Sequence, residues 1–368
     1  MREYTLVFLV AAAVTYLLTP VVRRIAIRTH TMAQPRDRDV HAIPTPYLGG
    51  VAMYGGIVAA LLVARRLPTL RQTFVGSSED TAVLVAGGLI CLLGAVDDRW
   101  GLDAFTKLAG QALAAGVMVI LGLQLLYLPI PGSDGTFVLT RELAVLMTVG
   151  LTLVMVNSIN FIDGLDGLAA GVVAIAAGAF FVFSYQLAVE QGNVVARPAT
   201  LMSAVLIGAC VGFLPHNFNP ARIFMGDAGS MLIGLMLAAA STSGIGYVAF
   251  DQLDSTQQAA FFVPLVLPAV ILAVPFVDLL LAVVRRMRAG RPVFAPDKQH
   301  LHHRLLEYGH SQTRAVLILY FWSALIAFGG VAISFARPAL VLGVVAVLAL
   351  VAVLSMSLPR LLAHRRAS

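Results

Sequence analysis

Eleven stretches of this 368-residue chain contain no Asp, Glu, Lys or Arg, and most are as long as a helix that crosses a bilayer. They cover 4–22, 42–64, 81–96, 108–133, 143–162, 167–189, 198–221, 228–250, 255–277, 315–336 and 338–359. A spanning helix needs about 20 apolar residues, because in hydrocarbon every backbone polar group must be satisfied within the segment. Barrel strands would instead show about ten residues alternating apolar and polar. The run at 81–96 is short and is completed by the residues after it. The first run ends on Arg23-Arg24 without a small-residue cleavage site, so it reads as a span and not as a cleaved leader. Apolar residues make up 59% and charged residues 12%, against about 25% charged in a soluble domain. That balance excludes a string of soluble domains, a disordered chain and a secreted disulfide scaffold. Cys91 and Cys210 both lie inside apolar runs, away from any disulfide framework. The expected fold class is an all-α integral membrane protein of about eleven transmembrane helices.

Charge orients the spans. The connections after odd-numbered spans, together with the C-terminal tail, hold 18 of the 25 Lys and Arg residues, and the other side holds 7. The positive-inside rule places the 18-residue side in the cytoplasm and the N-terminus outside. The net charge of +6 is therefore mostly a topology signal, and nucleic-acid binding is not needed to explain it. All eight histidines fall on the same predicted cytoplasmic side, whereas the outer connections are bland and 131–136 reads as a simple turn. The expectation is one polytopic domain over 1–368, with cytoplasmic loops at about 23–47, 97–107, 157–167, 216–229 and 285–314 carrying the chemistry.

Five polar clusters occupy those loops. The first runs from Arg36 and Arg38 through His41 to Pro44-Thr45-Pro46 and Gly49-Gly50; its plain reading is a cationic stop followed by a helix start. The second is Asp97-Asp98-Arg99 at the end of span three, with Lys107 near the start of span four. Adjacent carboxylates at a membrane boundary repel each other and lose solvation, so they call for a cation or hydrogen-bond donors. The third places Asn157, Asn160, Asp163 and Asp166 every three residues, a drifting polar stripe if helical, with Gly164 and Gly167 permitting a break. The fourth is Asn217-x-Asn219-Pro220-x-Arg222 leading into Phe224-Met225-Gly226-Asp227-Ala228-Gly229-Ser230, where Asp227 caps a helix or binds a metal beside one. The fifth is Asp297-Lys298-Gln299-His300-Leu301-His302-His303-Arg304. It lacks the separated ligand pair of a structural zinc site, and its histidines suit phosphate oxygens better. Plain structural readings exist: a solvated loop for the second and fifth clusters and capping for Asp227, whereas capping could explain one carboxylate of the third cluster but not its four polar positions. Together they describe a cytoplasmic pocket of hard oxygen donors and cations, the setting for Mg²⁺ (or Mn²⁺) bound with substrate phosphates. No Walker A sequence is present.

These five clusters, in this order and on one side, resemble the polyprenyl-phosphate N-acetylhexosamine-1-phosphate transferases of the WecA and TagO type, with the MraY translocases more distant. The resemblance covers nearly the whole chain. It implies an Mg²⁺-dependent bacterial plasma-membrane enzyme that moves N-acetylglucosamine 1-phosphate from a UDP-sugar to polyprenyl phosphate and releases UMP. The His300-Leu301-His302-His303-Arg304 run, in place of three consecutive histidines followed by Phe-Glu, favours UDP-N-acetylglucosamine over the MurNAc-pentapeptide donor. The resemblance further implies Asp227 as the metal ligand with Asp98 beside it, and Asp97, Asp98, Asp163 and Lys107 as catalytic residues. His41, Asn160, Asp166, Phe224, His300, His302, His303 and Arg304 fall to substrate binding, and a homodimer is compatible with it.

Two rivals frame that expectation. A transporter would use Asp278, which follows the ninth apolar run, but the other carboxylates collect at one surface instead of lining a path. A CDP-alcohol phosphatidyltransferase needs an Asp-Gly-x-x-Ala-Arg run that Asp163-Gly164-Leu165-Asp166-Gly167-Leu168 does not match.

Overall fold

Each charge-free run within the described residues holds a helix, and local chemistry sets its ends. The structure, a computed structural model, describes residues 1–33, 44–75, 77–129, 136–190, 192–245, 287, 311–337 and 339–351. The helices are α1 (Arg2–Arg28), α2 (Gly49–Ala64), α3 (Glu79–Trp100), α4 (Ala104–Ile120), α5 (Arg141–Ile162), α6 (Leu168–Tyr185), α7 (Arg197–Asn217), α8 (Gly226–Ile245), α9 (Gln312–Ile333) and α10 (Ala339–Val351). Asp103 caps α4 by accepting the Phe105 and Thr106 amides, both at 3.0 Å. Thr140 and Ser311 cap α5 and α9 in the same way.

Among the described residues six helices are long and apolar enough to cross a membrane: α1, α3, α5, α6 with its continuation to Val189, α7 and α9. The chain is accordingly an all-α, multi-pass membrane protein. The expected ninth span at 255–277 lies outside the described residues, as do His41, Asp278, His300, His302, His303 and Arg304. The run at 108–133 holds only the 17-residue α4 and then an extended segment. The outer turn expected at 131–136 is flanked by a short antiparallel ladder, β3 (Tyr127–Pro129) on β4 (Thr136–Val138), with Leu128 opposite Phe137. A second ladder pairs β1 (Met32–Ala33) with β2 (Thr45–Pro46).

Helix α8 is apolar on every side, and such a helix must be enclosed. Met231, Leu232, Ile233, Leu235 and Met236 are fully buried, within contacts to α2, α3, α5, α6 and α7. The enclosing helices expose large apolar side chains outward, among them Leu17, Leu92, Leu113 and Leu146, the surface a lipid tail accepts. The C-terminal ends of α1, α3, α5 and α7 and the N-terminal ends of α2, α4, α6, α8 and α9 gather at one end of the bundle. The ties across that end include Arg99 to the His30 carbonyl (3.1 Å), Gly167 N–H to Asn217 Oδ1 (3.0 Å) and Asn219 to Gln312 (2.7 Å). The loops predicted to carry chemistry therefore meet at this end wherever they are described.

Candidate active site

Two polar stripes face each other across α4 and α5. Lys107 and Gln111 lie four residues apart on α4, and Asn157 and Asn160 three apart on α5, so each pair shares a helix face. Deep in the bundle, Asn157 Nδ2 donates to Gln111 Oε1 at 2.7 Å, and Gln111 is almost fully buried. Nearer the end, both stripes converge on Asp227 from α8. Lys107 Nζ bonds the Asp227 carboxylate, and it pairs with Asp97 Oδ2 at 2.9 Å. Asn160 Nδ2 donates to Asp227 Oδ1 at 2.6 Å and to Ser230 Oγ at 2.9 Å. Asp97 also accepts the Leu102 amide, which holds the turn between α3 and α4. Asp98 points elsewhere: its two oxygens accept the Asp227 and Ala228 amides at 2.7 and 3.2 Å.

The expected stripe of four polar residues divides at the end of α5. Asn157 and Asn160 are helical, Asp163 is the C-cap, and the chain breaks before α6 resumes at Leu168. Asp163 lies within the fields of Asp227 and Asp98, and no hydrogen bond among the described residues ends on its carboxylate. Burial first, and then the fields of Asp227, Asp98 and Asp166, hold its carboxyl well above the usual carboxylate range. Asp166 is almost fully buried. Its Oδ2 accepts Asn219 Nδ2 at 2.9 Å and the Ala221 amide at 3.0 Å, which pins the α7–α8 connection. Asn217, also buried, bridges the same connection by accepting the Gly167 amide and donating to the Ile223 carbonyl. Phe224 is half-buried; its carbonyl accepts the Gly49 amide and its ring lies 5.9 Å from that of Tyr47.

Four carboxylates, Asp97, Asp98, Asp163 and Asp227, thus stand against one lysine among the described residues, and Lys107 pairs with Asp97 and Asp227 only. This surplus of negative charge on hard oxygens fits a divalent cation. Among the described residues no three Asp, Glu, His or Cys side chains form a complete metal cage. Mg²⁺ does not require one, since it usually takes one or two carboxylates together with substrate phosphates and water. The sequence reading missed Gln111, and it placed Asn217 and Ser230 in the fourth cluster without giving either a role. Gln111 carried a usable signal, as a polar residue four positions after Lys107 inside an apolar run.

Residues 81–245, which span α3 to α8 and hold all of these groups, match the family described as Glycosyl transferase family 4. A decaprenyl-phosphate N-acetylglucosaminephosphotransferase from Mycolicibacterium smegmatis is 51% identical over 360 residues, 96% of this chain and 88% of that protein. The chain belongs to glycosyl transferase family 4. A probable undecaprenyl-phosphate N-acetylglucosaminyl 1-phosphate transferase from Bacillus subtilis is 35% identical over 323 residues, covering 87% of this chain and 82% of its own length. A phospho-N-acetylmuramoyl-pentapeptide-transferase from Desulforudis audaxviator is 31% identical over 341 residues, 86% and 94% of the two chains. The family resemblance read from the motifs is borne out. In this family 4 chain, the matched segment begins two residues into α3 and ends with α8.

Proposed function

We propose that this family 4 protein transfers N-acetylglucosamine 1-phosphate from UDP-N-acetylglucosamine to polyprenyl phosphate, releasing UMP. One observation carries the reading: Lys107 ties Asp97 to Asp227 at the end of an apolar bundle, where a lipid phosphate and a soluble nucleotide sugar can meet. The names of the 51% and 35% identical relatives support the acceptor class and the sugar. Nothing in those names points to a homodimer. The excess of Lys and Arg on the site's side supports a bacterial plasma membrane enzyme of eleven spans, its N-terminus outside and its site and C-terminus facing the cytoplasm.

In this reading an oxygen of the lipid phosphate attacks the β-phosphorus of the donor. A new P–O bond joins lipid and sugar phosphate, the bond from that phosphorus to the oxygen of UMP breaks, and UMP leaves as the dianion or its protonated form. The sugar's C1–O bond is untouched, so its anomeric configuration is kept. Two anions must approach, and neutralising their charge is the site's first task. Asp227, with Asp163 as a second donor, would hold Mg²⁺, and the ion would supply that neutralisation at the diphosphate. Lys107 orients the lipid phosphate as a point charge, released toward it from the carboxylates it now bridges. Asp97 holds Lys107 and the start of α4 in place. A phosphate monoester is already largely dianionic at neutral pH, since its second pKa is about 6. Orientation of the nucleophile therefore matters more than its deprotonation. Asn160 fixes the Asp227 carboxylate, and Asp166 shapes the nucleotide pocket by holding the 217–225 connection. The motif resemblance alone assigns His41, Phe224, His300, His302, His303 and Arg304 to the donor.

The test uses purified protein, decaprenyl phosphate, Mg²⁺ and radiolabelled UDP-N-acetylglucosamine. Label should enter the lipid phase with matching UMP release, and EDTA should stop both. Label transfer only from another UDP-N-acetylhexosamine or from the MurNAc-pentapeptide donor would replace the sugar assignment, a reading the 31% identical relative keeps in play. No transfer from any donor by folded protein would favour ion-coupled transport.

A further inference from the structure

Helix α8 begins without a cap of its own. The residue before Gly226 is Met225, whose thioether cannot serve the exposed amides of a first turn. The cap comes from another helix 128 positions earlier in the chain. Asp98, in the last turn of α3, gives one oxygen to the Asp227 amide at 2.7 Å and the other to the Ala228 amide at 3.2 Å. The backbone is shaped around this contact. Gly226 has φ +68°, and a Cβ there would fall on the Asp98 carboxylate. One turn before Asp98, Gly94 lets the α3 backbone lie directly against Asp227 and Ala228, where a Cβ would overlap their main chain. On the far side, the Gly49 and Gly50 amides hold the Phe224 and Met225 carbonyls, both at 3.0 Å. The start of α8 is thereby held by α3 on one flank and α2 on the other, and the carboxylate that Asp227 presents from it meets Lys107 and Asn160.

Resting on the transferase reading, we propose that Asp98 is a positioning residue that acts through Asp227. Its carboxylate caps α8 across the helix–helix contact and sets where Asp227 presents its own carboxylate. It neither holds the metal nor takes a proton from the lipid phosphate. Both of its oxygens are engaged by amides, and the anion site at the start of α8 is filled by the protein itself.

The test compares wild-type protein with Asp98→Asn in two measurements on the full chain in lipid nanodiscs. The first is hydrogen exchange without metal or substrate. Loss of a charged hydrogen bond should speed exchange in 224–231 by roughly tenfold or more, with α1 and α6 unchanged. The second is steady-state transfer, where kcat should fall about 10- to 100-fold while KM for the donor stays within about threefold. Asn still offers one acceptor oxygen, so activity should persist. Turnover abolished with 224–231 as protected as in the wild type would assign Asp98 a direct chemical role and overturn the proposal. Unchanged exchange and unchanged turnover would overturn it as well. Should Asp98→Asn loosen the whole protein, Gly226→Ala takes its place, displacing the carboxylate while keeping it. Local deprotection with the same loss of kcat supports the proposal, and wild-type behaviour overturns it. A wild-type protein that transfers no sugar phosphate would sink the transferase reading and the catalytic consequence with it, while the exchange measurement still decides whether Asp98 caps α8.

Discussion

Helix α3 carries two adjacent carboxylates at each of its ends, and the two pairs have opposite meanings. Glu79 and Asp80 lie in its first turn, where the helix dipole favours negative charge. Each has its own partner: Arg65 pairs with Asp80, and Ser243 at the far end of α8 donates to Glu79. Asp97 and Asp98 lie in the last turn, where the same dipole disfavours them. Their compensation is incomplete. Asp98 is neutralised by the start of α8, but Asp97 must share Lys107 with Asp227, and Asp163 stands beside them with no hydrogen bond among the described residues. An acidic pair is thus no sign of chemistry in itself. Its position on the helix and the charge left over after pairing separate a structural end from the end proposed as reactive.

Substitutions at three positions test that separation at the proposed reactive end, in descending order of effect. Asp227→Ala should reduce turnover by at least ~10³-fold with the thermal unfolding midpoint close to the wild type, since charge stabilisation at the transferring phosphoryl is lost. Retained turnover in that variant would move the reactive centre away from α8. Lys107→Ala should cost about 10²- to 10³-fold, and Lys107→Arg should recover less than a tenth of the wild-type rate, because a planar fork does not replace a compact ammonium. Full rescue by arginine would mean that Lys107 contributes only bulk positive charge. Gln111→Leu removes the Gln111 partner of the half-buried Asn157, whose amide keeps the Leu153 carbonyl at 2.8 Å, and should lower stability by about 1 kcal/mol, with turnover reduced only several-fold. A larger kinetic loss at unchanged stability would extend the reactive region a full turn deeper along α4.

Much of this arrangement is legible in the order of residues alone. Bilayer-length apolar runs announce the helices, and the clusters at 97–107, 157–167 and 216–229 supply Asp97, Lys107, Asn160 and Asp227, which do meet. What is not legible depends on how helices cross. That Asp98 caps α8 follows from the close approach of α3 and α8 at Gly94, a tertiary event between residues more than a hundred positions apart. Asp163 and Asp166 look equivalent in a three-residue repeat, yet the break after Ile162 sends one to the site and the other to the α7–α8 connection. Asp227, which its neighbours in the chain allow as a cap, is itself capped. Glu79 and Asp80 draw no attention because they fall on the side that the charge distribution predicts to be outer, and their favourable place on the helix explains why they need none.

The smallest expected effects belong to that outer end, and they bear hardest on the comparison. Asp80→Asn removes the charge that Arg65 pairs with, and Arg65, whose side chain is 40% exposed, keeps Thr81 and can be rehydrated, so about 1 kcal/mol of stability is at stake. Glu79→Gln keeps an acceptor for Ser243 and should change stability by less than about 1 kcal/mol. Turnover of both variants should lie within about twofold of the wild type. The outer contact nevertheless sits on the same two helices as the reactive end: Glu79 opens α3 and Ser243 lies near the close of α8. A packed helix moves as a unit, so if the outer bond set the height of α8, its loss would displace Asp227 at the other end. A tenfold fall in turnover for Glu79→Gln at unchanged stability would show that coupling and erase the distinction between the two ends. Near-wild-type turnover would show that the glycine contact and the Asp98 cap suffice to hold Asp227 without help from outside.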